Sequence, residues 1–103
     1  MKVKTFYGEY EVSIETARYV NGNLAIQLYD KEDGCPFASV TTNLDTILAE
    51  NLAFIDTNNC PWAEDFLTEY GLGKPTGHYL PSGFCIYPIW EVDIDKLEHC
   101  EEM

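Results

Sequence analysis

Between Glu9 and Glu15 the chain alternates strictly: Tyr10, Val12 and Ile14 are set against Glu9, Glu11, Ser13 and Glu15. Successive side chains of a strand point to opposite faces, so this period of two gives one apolar face and one acidic face. Turn signals follow on either side. Gly8-Glu9 suits a two-residue hairpin turn because glycine accepts positive φ, and Asn21-Gly22 is a strong signal for another. Asp30 to Gly34, "DKEDG", turns the chain again; it is too short for a twelve-residue calcium loop. The runs between these turns are "MKVKTFY", "YEVSIETARYV", "NLAIQLY" (Leu24, Ile26 and Leu28 on one face) and "PFASVTTN". All suit a pleated surface. Residues 2–43 therefore predict a four-stranded antiparallel meander.

A sheet with one apolar face needs a cover, and "NNCPWAEDFLTEYGLG" (58–73) supplies it. Asn58 and Asn59 are good helix-entry residues, and Pro61 fits a first turn that has no use for its missing N–H. Trp62, Phe66 and Tyr70 recur every four residues with Ala63 and Leu67 beside them, which predicts a helix over 61–70 with one apolar face. Glu64 and Asp65 suit the positive end of its dipole; Glu69 does not. Gly71 or Gly73 ends it.

The flanking segments are plainer. In "LDTILAENLAFIDTNN" Asp45 suits the cap of a helical turn through Leu48 and Glu50, and "AFIDT" a short strand. Asp56-Thr57-Asn58-Asn59 reads as a cluster that binds its own backbone in Asx turns. Ser82-Gly83 predicts a turn between two extended pieces. In the second, Phe84, Ile86, Trp90 and Val92 oppose Cys85, Tyr87, Ile89 and Glu91, two largely apolar faces that predict cover on both sides. Pro88 cannot donate to a ladder and marks an edge or a bulge. "DIDKLEHCEEM" predicts a short C-terminal helix starting near Asp93 or Asp95, with Leu97 and Cys100 facing inward. Together these elements predict one α+β domain over 1–103. It is a mostly antiparallel sheet of five or six strands, with the 61–70 helix packed on one face.

Charge narrows the function classes. Eighteen acids against six bases leave −12, a surface that repels nucleic acid and anionic membranes and attracts a basic partner. No apolar run reaches membrane-spanning length, and no secretory leader follows the first lysines, which points to the cytoplasm. Cys35, Cys60, Cys85 and Cys100 are widely spaced with no CxxC, and read as reduced thiols, at least two of them in the core. With His78 and His99 they make a mixed zinc site or a Cys nucleophile conceivable, but no close ligand pair or catalytic motif selects one. Neither a metal nor a cofactor is expected.

The acids themselves form two groups. Glu9, Glu11 and Glu15 share a strand face; Glu91, Asp93, Asp95 and Glu98, with Glu101 and Glu102, crowd the C-terminus around Lys96 alone. Duplex DNA carries a charge about every 1.7 Å, so twelve charges match roughly 20 Å of duplex. A chain of this size, with a radius of gyration near ~13 Å, is about that long. Gathered on one side, these acids would mimic DNA for a basic or nucleic-acid-binding protein; otherwise they solvate the surface.

The stretches "YGEYEV", "NGNLAIQLYD", "FIDTNNCP", "WAEDFLTEYGLGKPTG" and "SGFCIYPIWEVDIDKL" resemble a family of short bacterial proteins of unknown function associated with conjugative elements and phages of gut bacteria. The resemblance covers most of the chain and implies no catalytic residues. It implies a mobile-element setting, where small acidic proteins that block restriction or other nuclease defences occur. The expected function is thus a non-catalytic acidic binding module, in its sharpest form a DNA-mimic inhibitor of a defence protein. The alternatives are a small enzyme or metal-binding protein using Cys and His, and a homodimer joined through the aromatic-rich C-terminal strand.

Overall fold

In the computed structural model, which describes residues 1–101 and the side chains of 1–99, the meander forms as its alternation predicts. Strands β1 (Lys2–Thr5), β2 (Gly8–Arg18), β3 (Leu24–Asp30) and β4 (Pro36–Ser39) pair antiparallel in chain order. Val12 and Ile14 on β2 and Leu24, Ile26 and Leu28 on β3 are buried, while Glu9, Glu11 and Glu15 are exposed. The first turn falls two residues earlier than Gly8-Glu9. Phe6-Tyr7 makes it, and Gly8 already pairs with Thr5. The Thr5 hydroxyl explains the shift, accepting the Tyr7 N–H and donating to the Gly8 carbonyl, each at 3.1 Å. At 30–34 the carboxylates of Asp30 and Asp33 accept the N–H groups of Glu32 and Cys35, a polar hairpin turn as expected.

A second sheet replaces the predicted continuation of the first. The run 36–43 is not one strand. It breaks at Val40, whose N–H donates to Ile26 on β3 (2.9 Å) and whose carbonyl accepts the Asp56 N–H (2.8 Å). Beyond it β5 (Thr41–Thr42), β6 (Leu52–Ile55), β7 (Gly73–Ser82) and β8 (Cys85–Val92) make an antiparallel sheet ordered β5-β6-β8-β7. Two sheets of four strands thus stand where one of five or six was expected. A strand that bends from one sheet into another is how stacked sheets make a corner. The predicted helical turn after Asp45 is absent because buried Asn23 holds that segment open: its side chain donates to the Thr46 carbonyl and accepts the Leu48 N–H, both at 2.9 Å.

Helix α1 (Ala63–Glu69) is shorter than the predicted 61–70 and begins without a side-chain cap. Asn59 instead serves the preceding turn, donating through its backbone and side-chain N–H groups to the Asp56 carboxylate. The helix ends as glycine-stopped helices do. Gly71 sits at φ +61°, its N–H bonds Thr68, and the Leu72 N–H reaches back to Leu67. Ala63, Phe66 and Leu67 are buried. Tyr10, Phe37, Trp62, Phe66 and Tyr70 form a continuous row of ring contacts with centroids 5.1–6.2 Å apart, tying α1 to the first sheet. Helix α2 (Ile94–Glu101) packs against β2. One apolar cluster unites Val12, Ile26, Ala53, Trp90, Leu67 and Leu97 from both sheets and both helices. The radius of gyration is 13.0 Å.

Candidate interaction surfaces

Hairpin β7–β8 outruns its sheet. Strand β6 pairs with β8 only from Phe54↔Ile89 to Leu52↔Glu91, whereas β7 pairs with β8 all the way to Ser82↔Cys85. Residues 79–88 therefore form a two-stranded ribbon beyond the core. Pro88 lies where the β6 ladder has ended and opposite the irregularity between Pro75 and Tyr79, which places a residue without an N–H as predicted. The ribbon turns at Gly83-Phe84. Gly83 has φ +63° and Phe84 does not go positive, a II′ geometry that only its first position needs glycine for.

Paired residues on antiparallel strands project to the same face, so Tyr79 and Pro81 share the face of Pro88 and Ile86. On β8 that face continues into buried Trp90 and Val92. It is covered from Pro88 onward and uncovered toward the turn: Tyr79 is 61% exposed, Ile86 63% and the turn residue Phe84 109%. The predicted cover on both sides of this strand is not found: one face is buried at Pro88, Trp90 and Val92, while on the other Cys85, Tyr87 and Ile89 are half-buried and Glu91 is exposed. On the other face a hydrogen bond with Cys85 raises the Tyr87 phenol.

The predicted acids are placed in three settings. Glu9 and Glu11 face lysines across the β1–β2 ladder: Lys4↔Glu9 and Lys2↔Glu11 are register partners, and Lys2 Nζ stands 3.3 Å from the Glu9 carboxylate. Glu11 also lies 3.5 Å from the Met1 amino group. Glu15 is exposed opposite Gln27. Glu91, Asp93 and Asp95 come together around a hollow of about 510 Å³, with Asn51 and the β7 cation Lys74 on its rim. Asp93 has a structural task there, since its carboxylate accepts the Lys96 N–H and caps α2. Glu98 lies apart, in a smaller hollow with Thr16 to Arg18, Leu24 and Ile94. Glu102 and the side chains of Cys100 and Glu101 lie outside the described residues.

The thiols are differentiated by their surroundings. Cys60 is the one core residue among Cys35, Cys60 and Cys85; the expectation of at least two core thiols also rests on Cys100, whose side chain lies outside the described residues. Burial, reinforced by Asp56, pushes its thiol up to about 11, and the thiol donates to the Ser39 carbonyl. Cys35 is exposed, and the charge of Asp33 beside it raises its thiol too. A raised thiol is poorly ionised at neutral pH and so a weak nucleophile. Among the described residues no three or more His, Cys, Asp or Glu side chains converge on a metal position, and no helix is long and apolar enough to cross a membrane.

The ribbon was reached from the sequence only through its second strand, as a homodimer seam, and a second hollow, between β2 and α2, was not reached at all. The ribbon had a signal, an apolar face on residues 84–92 with no acid on it. The hollow joins residues from distant segments and had none.

Fold and surface together define a small α+β protein of two antiparallel sheets, with its distinctive surface groups on the β7–β8 ribbon and around α2. The family described as "Domain of unknown function (DUF4313)" matches residues 13–103, and the chain belongs to it. No curated protein and no solved structure matches the chain.

Proposed function

We propose that this protein is a non-catalytic binding module that docks a basic protein through the β7–β8 ribbon. The observation that carries this reading is the uncovered face of the ribbon. Tyr79, Ile86 and Phe84 extend the face that holds Trp90 and Val92, and among the described residues nothing covers them. Clustered exposed apolar groups of this kind mark interaction sites more than scattered ones do. The charge of −12 supplies steering toward a basic surface and disfavours nucleic acid. Glu9, Glu11 and Glu91 each face a lysine across their ladders, whereas Glu15 faces Gln27, and Asp93 and Asp95 stand beside Glu91 around the hollow.

In its finer form the partner is a DNA-binding defence protein met in a mobile-element setting, with Glu9, Glu11, Glu15, Glu91, Asp93, Asp95 and Glu98 standing for phosphates. The molecule, 35 × 29 × 23 Å, is long enough for the roughly 20 Å of duplex that its charge matches.

The test is capture of partners from lysate at low and moderate salt by wild type, by the ribbon variant Phe84→Ser/Ile86→Ser and by the acid variant Glu91→Gln/Asp95→Asn. The reading expects a basic protein held by wild type, released by salt, lost from the ribbon variant and weakened in the acid variant. Capture of the same proteins by wild type and the ribbon variant would overturn it. A dimer seen by sedimentation for wild type and abolished by the ribbon variant would replace the basic partner with a second copy.

A further inference from the structure

The hollow between β2 and α2 has a chemistry opposite to that of the rest of the surface. It measures about 400 Å³ and is lined largely by apolar atoms, with Val12, Ile14 and Tyr70 among its walls and Lys31, Lys96 and His99 around it. Two of the six basic residues of an acidic chain therefore meet at one cavity. Among the described residues neither takes part in an ion pair, the pairs present being those of Met1 and Lys2. Lys96 Nζ rests over Gly71, where an added Cβ would stand 2.8 Å away, at the end of α1. The Tyr70 hydroxyl accepts the Lys2 N–H and keeps its own proton to donate.

An apolar cavity of a few hundred Å³ with a small number of convergent polar groups is the usual form of a small-molecule site. Its unpaired cations select an anion. The surrounding charge of −12 selects among anions, since each further negative charge on a ligand is repelled by the whole surface. A monoanion with an apolar body fits both conditions. A phosphate dianion fits neither the walls nor the field.

We propose that the hollow between β2 and α2 binds a small amphipathic carboxylate, its tail against Met1, Tyr70 and the edge of Ile14 and its head held by Lys31 and Lys96. The site is separate from the ribbon, so its occupancy and partner capture can be measured independently.

Calorimetric titration with decanoate, decylammonium and inorganic phosphate, together with amide chemical shifts, tests this. Decanoate is expected to bind saturably and to shift the amides of Val12, Ile14, Tyr70 and His99, while decylammonium and phosphate do not bind. Lys31→Glu/Lys96→Glu is expected to weaken decanoate binding at least ~10-fold, since two charge-assisted contacts are lost. Lys74→Glu, which reverses a cation at a different hollow, leaves it unchanged. Lys31→Gln/Lys96→Gln removes the charges without adding new ones and is expected to weaken binding in the same direction. The absence of saturable decanoate binding, equal binding of decylammonium, or full affinity in both lysine double variants would each overturn the proposal.

Discussion

The indole N–H of Trp90 donates to the carboxylate of Glu64 at 2.9 Å, joining the middle of the second sheet to the first turn of α1. Trp90 is buried in the shared core, and this bond satisfies its one polar atom. An acid that the helix dipole alone would explain thus has a second task.

Glu64→Ala leaves the buried indole N–H without an acceptor. A cost of about 1–3 kcal/mol is expected. Glu64→Gln keeps an acceptor oxygen and should lose less than half of that. Urea unfolding midpoints of the three proteins give the ordering; equal midpoints for Ala and wild type would show that the bond contributes nothing.

Gly73 faces Val92 across the β7–β8 ladder, and a Cβ there would run into the Glu91 carbonyl oxygen. Backbone cannot move aside as a side-chain tip can, so Gly73→Ala should destabilise by roughly 1–3 kcal/mol. Gly77, at φ +85° with open space around it, carries a different penalty. For Gly77→Ala left-handed backbone strain alone applies, about 1–2 kcal/mol. Thermal melts give the size of each loss, and amide exchange separates the two, because the shift of β8 that makes space at Gly73 would alter it only in Gly73→Ala.

Asn23 clamps the 43–48 segment through Thr46, Leu48 and the Asn43 side chain. Removing all three contacts in Asn23→Ala is expected to cost roughly 2–4 kcal/mol, at about 1 kcal/mol per bond. Limited proteolysis reads the effect locally, with faster cleavage between 43 and 51 than elsewhere in the chain.

The Cys60 thiol ionises near 9.0 when unfolded and at about 11 when folded. Between those values the unfolded state has released a proton that the folded state still holds. Stability from this group is therefore complete below pH 9 and falls as pH rises toward 11. Cys60→Ala should show a shallower loss of stability over that window, whatever its stability at neutral pH. At Cys35, where Asp33 raises an exposed thiol, Asp33→Asn should speed iodoacetamide labelling at pH 8.

Much of the first sheet was legible because its order is local. Alternation in 9–15 and 24–28 assigns faces, and Asn21-Gly22 and "DKEDG" mark the reversals, although Thr5 moved the first turn forward to Phe6-Tyr7. The helix at Trp62–Tyr70 was legible from its spacing. The division into two sheets was not, because it depends on Val40 finding Ile26 and Asp56 at once, and no periodicity records such a meeting. Sheet-forming residues on both sides of Val40 read as one strand. The loss of the Asp45 turn has the same origin, a tertiary clamp from Asn23 that overrides a local preference. For the sites, sequence places Glu91, Asp93 and Asp95 together because they are neighbours in the chain. Strand length hides the ribbon, since exposure of Phe84 and Ile86 follows from where β6 stops.

Val40 also governs the order in which a newly made chain can become safe. As the polypeptide leaves the ribosome, the meander can close while the Val40 carbonyl still waits for the Asp56 N–H. When β6 follows, its remaining neighbour is β8, the last of the described strands to be synthesised. Until then the inner faces of Ile26 and Leu28 have only part of their roof. Nascent molecules pass through an interval of exposed apolar surface that proteases and chaperones can read, and one that ends for both sheets together.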